Sequence, residues 1–247
     1  MASNRGEIVP RDEAERLAAV RRFRILDTPP DGAFDRITRI AARVFDVPIA
    51  IVSIVDHDRI WFKSRHGLDA DEIGRDPGLC ASAICQSEPY VVSDASVDPR
   101  TIDNPLVAGE LGLRFYFAIP LTTWDGFNLG TLNVIGREPR EVSPEEVASL
   151  QDLAAIVVRE LELRLATRRT FEERRRRAVE LNDDVVQGLA VAQLALEAGR
   201  EEAAREALEG TLAAARSIVT GLLEESGEHG ELRAGDLVRH QPAQLPV

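Results

Sequence analysis

Two cysteines, four histidines and one Asp-Gln pair are the groups of this 247-residue sequence whose types and spacing could do chemistry. Cys80 and Cys85 lie five residues apart, which places two helical side chains on different faces. They read as two small packed side chains, because a redox pair needs its sulfurs facing each other. His57 and His66 lie in or beside a hairpin turn, where a histidine reads as a surface residue rather than an iron ligand. Two cysteines cannot furnish a Cys-only zinc site, and neither metal nor cofactor is expected. Asp183 and Gln187 are four apart, hence neighbours on one helix face. At helical spacing they lie roughly 200° and 240° round from the apolar Leu181, so they point to solvent.

The elements that must position these groups change character near residue 143. Up to residue 142, short β-rich runs alternate with turn signals. Pro48 to Val55 reads as a strand, Asp56-His57-Asp58 as a turn, and Ile60 to Ser64 as the returning strand of a hairpin. Amphipathic helices are expected over Asp12 to Leu26, ended by Asp27-Thr28-Pro29-Pro30, and over Phe34 to Phe45. A short helix around Leu79 to Ser87 precedes a strand at Tyr90 to Ser93, and a long loop spans Asp94 to Leu106. Two further strands, Phe115 to Thr123 and Leu129 to Ile135, join at Trp124-Asp125-Gly126. Antiparallel hairpins flanked by helices make an α+β sheet domain.

Several stretches together resemble a GAF domain, the small-molecule-sensing relative of the PAS fold. They are Arg16-Leu17 through Leu26 to Pro30, Ile49 to Asp56, Trp61 to Ser64, Pro89 to Ala95, Asp98-Pro99-Arg100 with Asn104 to Val107, Arg114 to Tyr116, and Gly130 to Ile135. The resemblance covers residues 12–165 and implies an antiparallel sheet of about six strands with a ligand-sized cavity on one face. The cyclic-nucleotide pattern of that family is absent, and Cys85 is followed by Gln86 where bilin-binding members have histidine. The ligand is therefore an unidentified small molecule. Its polar lining is expected from Trp61, Arg114, Tyr116, Thr131 and Asn133, which lie on or beside strands whose side chains alternate between faces. For two of these a structural alternative stands: Trp61 caps the core, and Arg114 pairs with Asp94 or Asp98.

From residue 143 the pattern is helical. Ser143 is the expected N-cap with Glu146 at capping-box spacing, and Val147, Leu150, Leu153, Val157, Leu161 and Leu165 recur at helical intervals. The helix runs on through Ala178, Leu181, Val185, Leu189, Ala192 and Leu196, and Gly199 ends it. A second helix carries Leu208, Leu212, Ala215, Val219 and Leu222 in a heptad seam. Each helix is apolar along one stripe, and a dimeric four-helix bundle buries both stripes. Gly188 in mid-helix suggests close helix approach, and Arg174 to Arg177, flanked by glutamates, read as a solvated face.

The run Glu180 to Leu189 resembles the phosphoacceptor helix of nitrate-sensor-type histidine kinases, over residues 168–225. Asn182 stands where that family has its phosphorylated histidine. A carboxamide nitrogen gives its lone pair to the carbonyl and cannot carry a phosphoryl group. No Gly-rich phosphate loop or P-loop is present, so autokinase activity is not expected. The resemblance implies a phosphatase role for Asp183 and Gln187, the amide orienting a water against a response regulator's phospho-aspartate.

Net charge of −12 and 5% aromatic residues argue against nucleic acid as a partner, and no apolar run is long enough for a membrane helix. The polar start of the chain carries no signal peptide, so a cytoplasmic location is expected. The expected plan is a tail at 1–11, a GAF sensor at 12–165, a degenerate kinase-like dimerisation hairpin at 166–225 and a disordered tail at 226–247. Its function is expected to be signal relay in a two-component setting. Response-regulator phosphatase, or regulatory heterodimerisation with a true histidine kinase, are the alternatives.

Overall fold

The computed structural model describes residues 9–76 and 78–227, without the side chains of 180, 181, 184, 218, 219 and 221–227. The expected tail at 226–247, most of the tail at 1–11, and the seam positions Leu181, Val219 and Leu222 thus fall wholly or partly outside the described residues. The chain divides into two compact units, Met1–Thr167 and Arg168–Val247.

The first unit opens with α1 (Glu13–Phe23) and α2 (Gly32–Val44), then β1 (Ile49–Val55), β2 (Arg59–His66) and β3 (Glu72–Gly74). Helix α3 (Leu79–Ala83), strand β4 (Tyr90–Val92), helix α4 (Pro105–Ala108), and strands β5 (Phe115–Thr122) and β6 (Asn128–Gly136) follow. Asp31 caps α2: its side chain accepts from Ala33 N at 2.9 Å. The six strands form one sheet in the order β3-β2-β1-β6-β5-β4, with every neighbouring pair antiparallel. β1 is central and buried along its whole length, as a run apolar at every position but Ser53 requires when both faces are covered. Gly130 lets β6 close on it: a Cβ there would lie 1.9 Å from Ser53 O.

Two cores lie on opposite faces of the sheet. One joins α1, α2 and the first part of α5 (Pro144–Glu197) to Ala50, Val52, Ile54, Phe117, Leu132 and Val134. The other joins α3, Val107 of α4 and the intervening loops to Ile49, Ile51, Val55, Tyr116, Ala118 and Ile135. Arg16, fully buried, ties α1 to the sheet by donating from Nη1 to Val55 O at 2.8 Å. α5 starts with a reciprocal cap: Glu146 N donates to Ser143 Oγ at 3.2 Å and Ser143 N to Glu146 Oε2 at 2.9 Å.

Two elements depart from the sequence reading. β3 is a three-residue edge strand too short to show a period, and the stretch expected as loop contains α4, capped by Asn104. β2 also carries a bulge: Val52 pairs with Ser64 and Ser53 with Phe62, so Lys63 is the extra residue.

In the second unit the C-terminal part of α5 is followed by α6 (Glu201–Gly227). These helices meet through small side chains. A Cβ on Gly188 would lie 1.8 Å from Thr211 Oγ1, and Ala192 and Ala204 are buried. Within one chain the expected apolar stripes are covered only in part: Ala192 is buried, while Leu189, Leu196, Leu208 and Leu212 are exposed.

Candidate functional site

The α3 face of the sheet carries an island of buried polar atoms within its apolar core. Thr131 and Asn133 alternate with Leu132 on β6 and so share a face, and Ser53 pairs with Thr131 across β1. Ser53 Oγ and Thr131 Oγ1 are 2.9 Å apart, and Asn133 Nδ2 donates to Thr131 Oγ1 at 2.9 Å. From β5, Tyr116 donates its hydroxyl to Cys80 Sγ of α3 at 3.2 Å, and Asn133 Nδ2 lies 3.6 Å from the same sulfur. Asn133 Oδ1 is buried with no donor among the described residues. Burial, and then the neighbouring Cys80, hold the Tyr116 phenol well above the usual tyrosine range, so it stays a donor. Tyr90 packs edge-to-face on it with centroids 6.0 Å apart.

The five expected lining residues do not form one lining. Tyr116, Thr131 and Asn133 come together in the island. Trp61 is a correction: it lies in the opposite core with Phe34 and Ile54, because its place on β2 points it to the α2 face. Arg114 precedes β5 and donates from Nη1 to Val107 O and Leu113 O, both at 2.9 Å, so it braces the α4 loop. The Arg114 charge also helps lower the Asp94 carboxyl, behind the hydrogen bonds from Ser96. Cys80 and Ser53 complete the island without having been singled out as lining. For Ser53 a signal existed: it is the one hydroxyl in the apolar run Ile49–Val55.

Cys80 is buried and Cys85 lies at the surface, both as free thiols; the Cys85 sulfur itself is part-buried, donating to Ala81 O at 3.3 Å, and that burial pushes its thiol up. Asn182, Asp183 and Gln187 are exposed on α5. Among the described residues no group of three or more His, Cys, Asp or Glu side chains could hold a metal ion, and no helix is long and apolar enough to cross a membrane.

An antiparallel sheet with three helices on one face, and short helices and loops over a polar island on the other, defines a sensory domain of the GAF type. The GAF domain family matches residues 29–161, more than half of the chain, and the chain belongs to that family. A cyclic di-GMP phosphodiesterase of Pseudomonas aeruginosa is 43% identical over 150 residues, which are 60% of this chain and 26% of the relative. The chain thus spans about a quarter of that relative's length. Among solved structures, free methionine-R-sulfoxide reductase from Neisseria meningitidis matches with 20% identity and a TM-score of 0.44, covering 60% of this chain and 87% of the other. The PixJ GAF domain of Thermosynechococcus elongatus matches with 17% identity and a TM-score of 0.45, covering 64% and 94%. Membership of the GAF family supports a signalling role.

Proposed function

We propose that this chain is a sensory relay in which a small molecule held on the α3 face of the GAF domain biases a dimeric helical hairpin. The buried island offers one open acceptor to a small polar group, the unpartnered Asn133 Oδ1, beside the Tyr116 and Thr131 hydroxyls, which are bonded to Cys80 and Ser53 and would have to exchange partners. The output is carried by α5, one element that holds core residues Leu150 to Leu165 and, further along, the Glu180 to Gln187 motif. The observation that carries the dimer is the exposure of Leu189, Leu196, Leu208 and Leu212 on helices already packed together through Gly188, Ala192 and Ala204. Leucines left outside a hairpin bury their surface when a second copy supplies the other pair of helices. High identity to part of a cyclic di-GMP phosphodiesterase fits a sensory stretch that serves different outputs.

Light scattering on the full chain at micromolar concentration is the test. A mass of two chains is expected, with monomers for the pair Leu208→Glu and Leu212→Glu and no loss of sheet signal. A monomeric wild-type chain rejects the relay as proposed.

The exposure of Asp183 and Gln187 favours a second reading, hydrolysis of a receiver's phospho-aspartate. The activity named for the Pseudomonas relative is neither kinase nor receiver phosphatase. Dephosphorylation of a phosphorylated receiver domain at an unchanged rate, or indifferent to Gln187→Ala, ends that reading.

A further inference from the structure

Lys63 is the only lysine of the chain; its other cationic side chains, all 29, are arginines. The one position given an amine rather than a guanidinium is buried, 4% exposed, and occupies the bulge of β2. Its Nζ donates to Thr28 Oγ1 at 2.9 Å and to Pro29 O at 2.7 Å. The Phe34 and Trp61 ring centroids lie 5.5 and 5.8 Å from it. Among the described residues no carboxylate comes within ion-pair distance. Burial lowers the Nζ pKa, the Arg164 charge adds to that, and the charges of Asp31 and Asp35 oppose it.

This amine lines a cleft of about 830 Å³ between the α1–α2 loop and the β2–β3 hairpin. The site lies apart from the polar island, on the α2 side of the sheet. Trp61 and Thr28 contribute to the wall, and the remaining charged lining is mostly acidic: Asp27, Asp35, Asp71 and Glu72 against Arg65. Arg59 pairs with Asp27 and Glu72, and Arg65 with Asp71, so the rim sets four carboxylates against two arginines; this net acidity disfavours simple ion pairing of a ligand acid with Lys63. A neutral electrophile meets no such barrier. An amine that burial brings towards its neutral form is what an electrophilic carbon requires, and a guanidinium cannot substitute for it.

We propose that Lys63 is a covalent docking point for a small neutral carbonyl compound, an aldehyde or ketone, which enters the cleft and condenses with Nζ to an imine. The amine nitrogen bonds the carbonyl carbon. The carbonyl oxygen departs as water with the two hydrogens of the neutral amine, and nothing is oxidised or reduced. Thr28 Oγ1 and Pro29 O orient the nitrogen, and the indole of Trp61 flanks the bound carbon chain. This inference needs neither the hairpin nor the polar island.

The full chain is incubated near neutral pH with propionaldehyde and sodium cyanoborohydride, and the reduced adduct is located by peptide mass mapping. With a single ε-amine present, an internal adduct can only be at Lys63. Trapping at Lys63 is expected to be about tenfold faster in the native chain than in the chain unfolded in guanidinium chloride, and to saturate with aldehyde. Its rate should rise with pH around a midpoint below that of Nα-acetyl-lysine. Lys63→Arg should leave the chain's α-amine as the one labelled site. Native trapping that is equal to or slower than trapping in the unfolded chain overturns the proposal and leaves Lys63 as a pin for the α1–α2 loop.

Discussion

In the GAF unit a set of large aromatic side chains is inside: Phe34, Phe45, Phe115 and Phe117 are at most 1% exposed. In the hairpin a set of leucines is outside, with Leu194, Leu196 and Leu212 each more than half exposed, while alanines and a glycine make the contact. Both units are built from strongly patterned sequence, yet they draw on different sources of stability. A buried phenylalanine contributes area that scales directly into stability. A contact between alanines contributes closeness but little area. The hairpin therefore buries less apolar area per contact than the sheet domain does.

Both tryptophans, Trp61 and Trp124, belong to the first unit, so their fluorescence follows that unit while far-ultraviolet dichroism follows both. The largest effect is expected from Phe117→Ala, which removes a ring packed edge-to-face on Phe45 and should cost about 3–5 kcal/mol in the fluorescence-monitored transition. If the loss is under about 1 kcal/mol, the first half of the comparison fails. Gly188→Val should separate the hairpin helices, because a side chain there collides with Thr211. Helical dichroism should fall at temperatures where the tryptophan signal is unchanged. Simultaneous loss of both signals would show that the units do not unfold separately.

Smaller changes sharpen the contrast. Asp31→Ala should cost the GAF unit about 1 kcal/mol through the lost cap of α2. The Asp31 carboxyl lies below its ordinary value of 3.8, first because of the Ala33 N–H and then Arg164. A lowered carboxyl stabilises the native state above the unfolded value and loses that effect as pH falls through the lower native one. The wild type should therefore lose its advantage over the variant as the pH drops below about 3.8, as urea titrations at successive pH values would reveal. Gly210→Ala meets nothing within 4 Å and should raise helix stability by roughly 0.5–1 kcal/mol.

Much of this was legible from sequence because the patterns are local. The run from Ile49 to Val55 and the Ser143–Glu146 cap each state their structure within a few residues, whereas α1 ends at Phe23, at a left-handed Arg24, three residues short of the expected Leu26. What was not legible depends on register. Trp61 and Tyr116 read equally well as cavity residues until strand pairing assigns them to opposite faces, and one bulged residue changes the face of all that follows. The hairpin poses a related problem: leucine periodicity marks an apolar face but not which neighbour covers it. Gly188 held the better clue, as a helix-weakening residue tolerated where Thr211 comes close.

The pairing of Tyr90 with Tyr116 gives the α3 face a built-in optical reporter. The chain has two tyrosines, and burial raises both phenols, Tyr116 the more. Folding thus favours the protonated rings: that preference is intact below about pH 10, the free phenol's value, and works against the native state as alkalinity climbs past it. Tyrosinate absorbance should consequently stay low in base until this side of the sheet opens, and then rise abruptly. A spectrophotometer alone can then time the exposure of the α3 face in the unmodified chain.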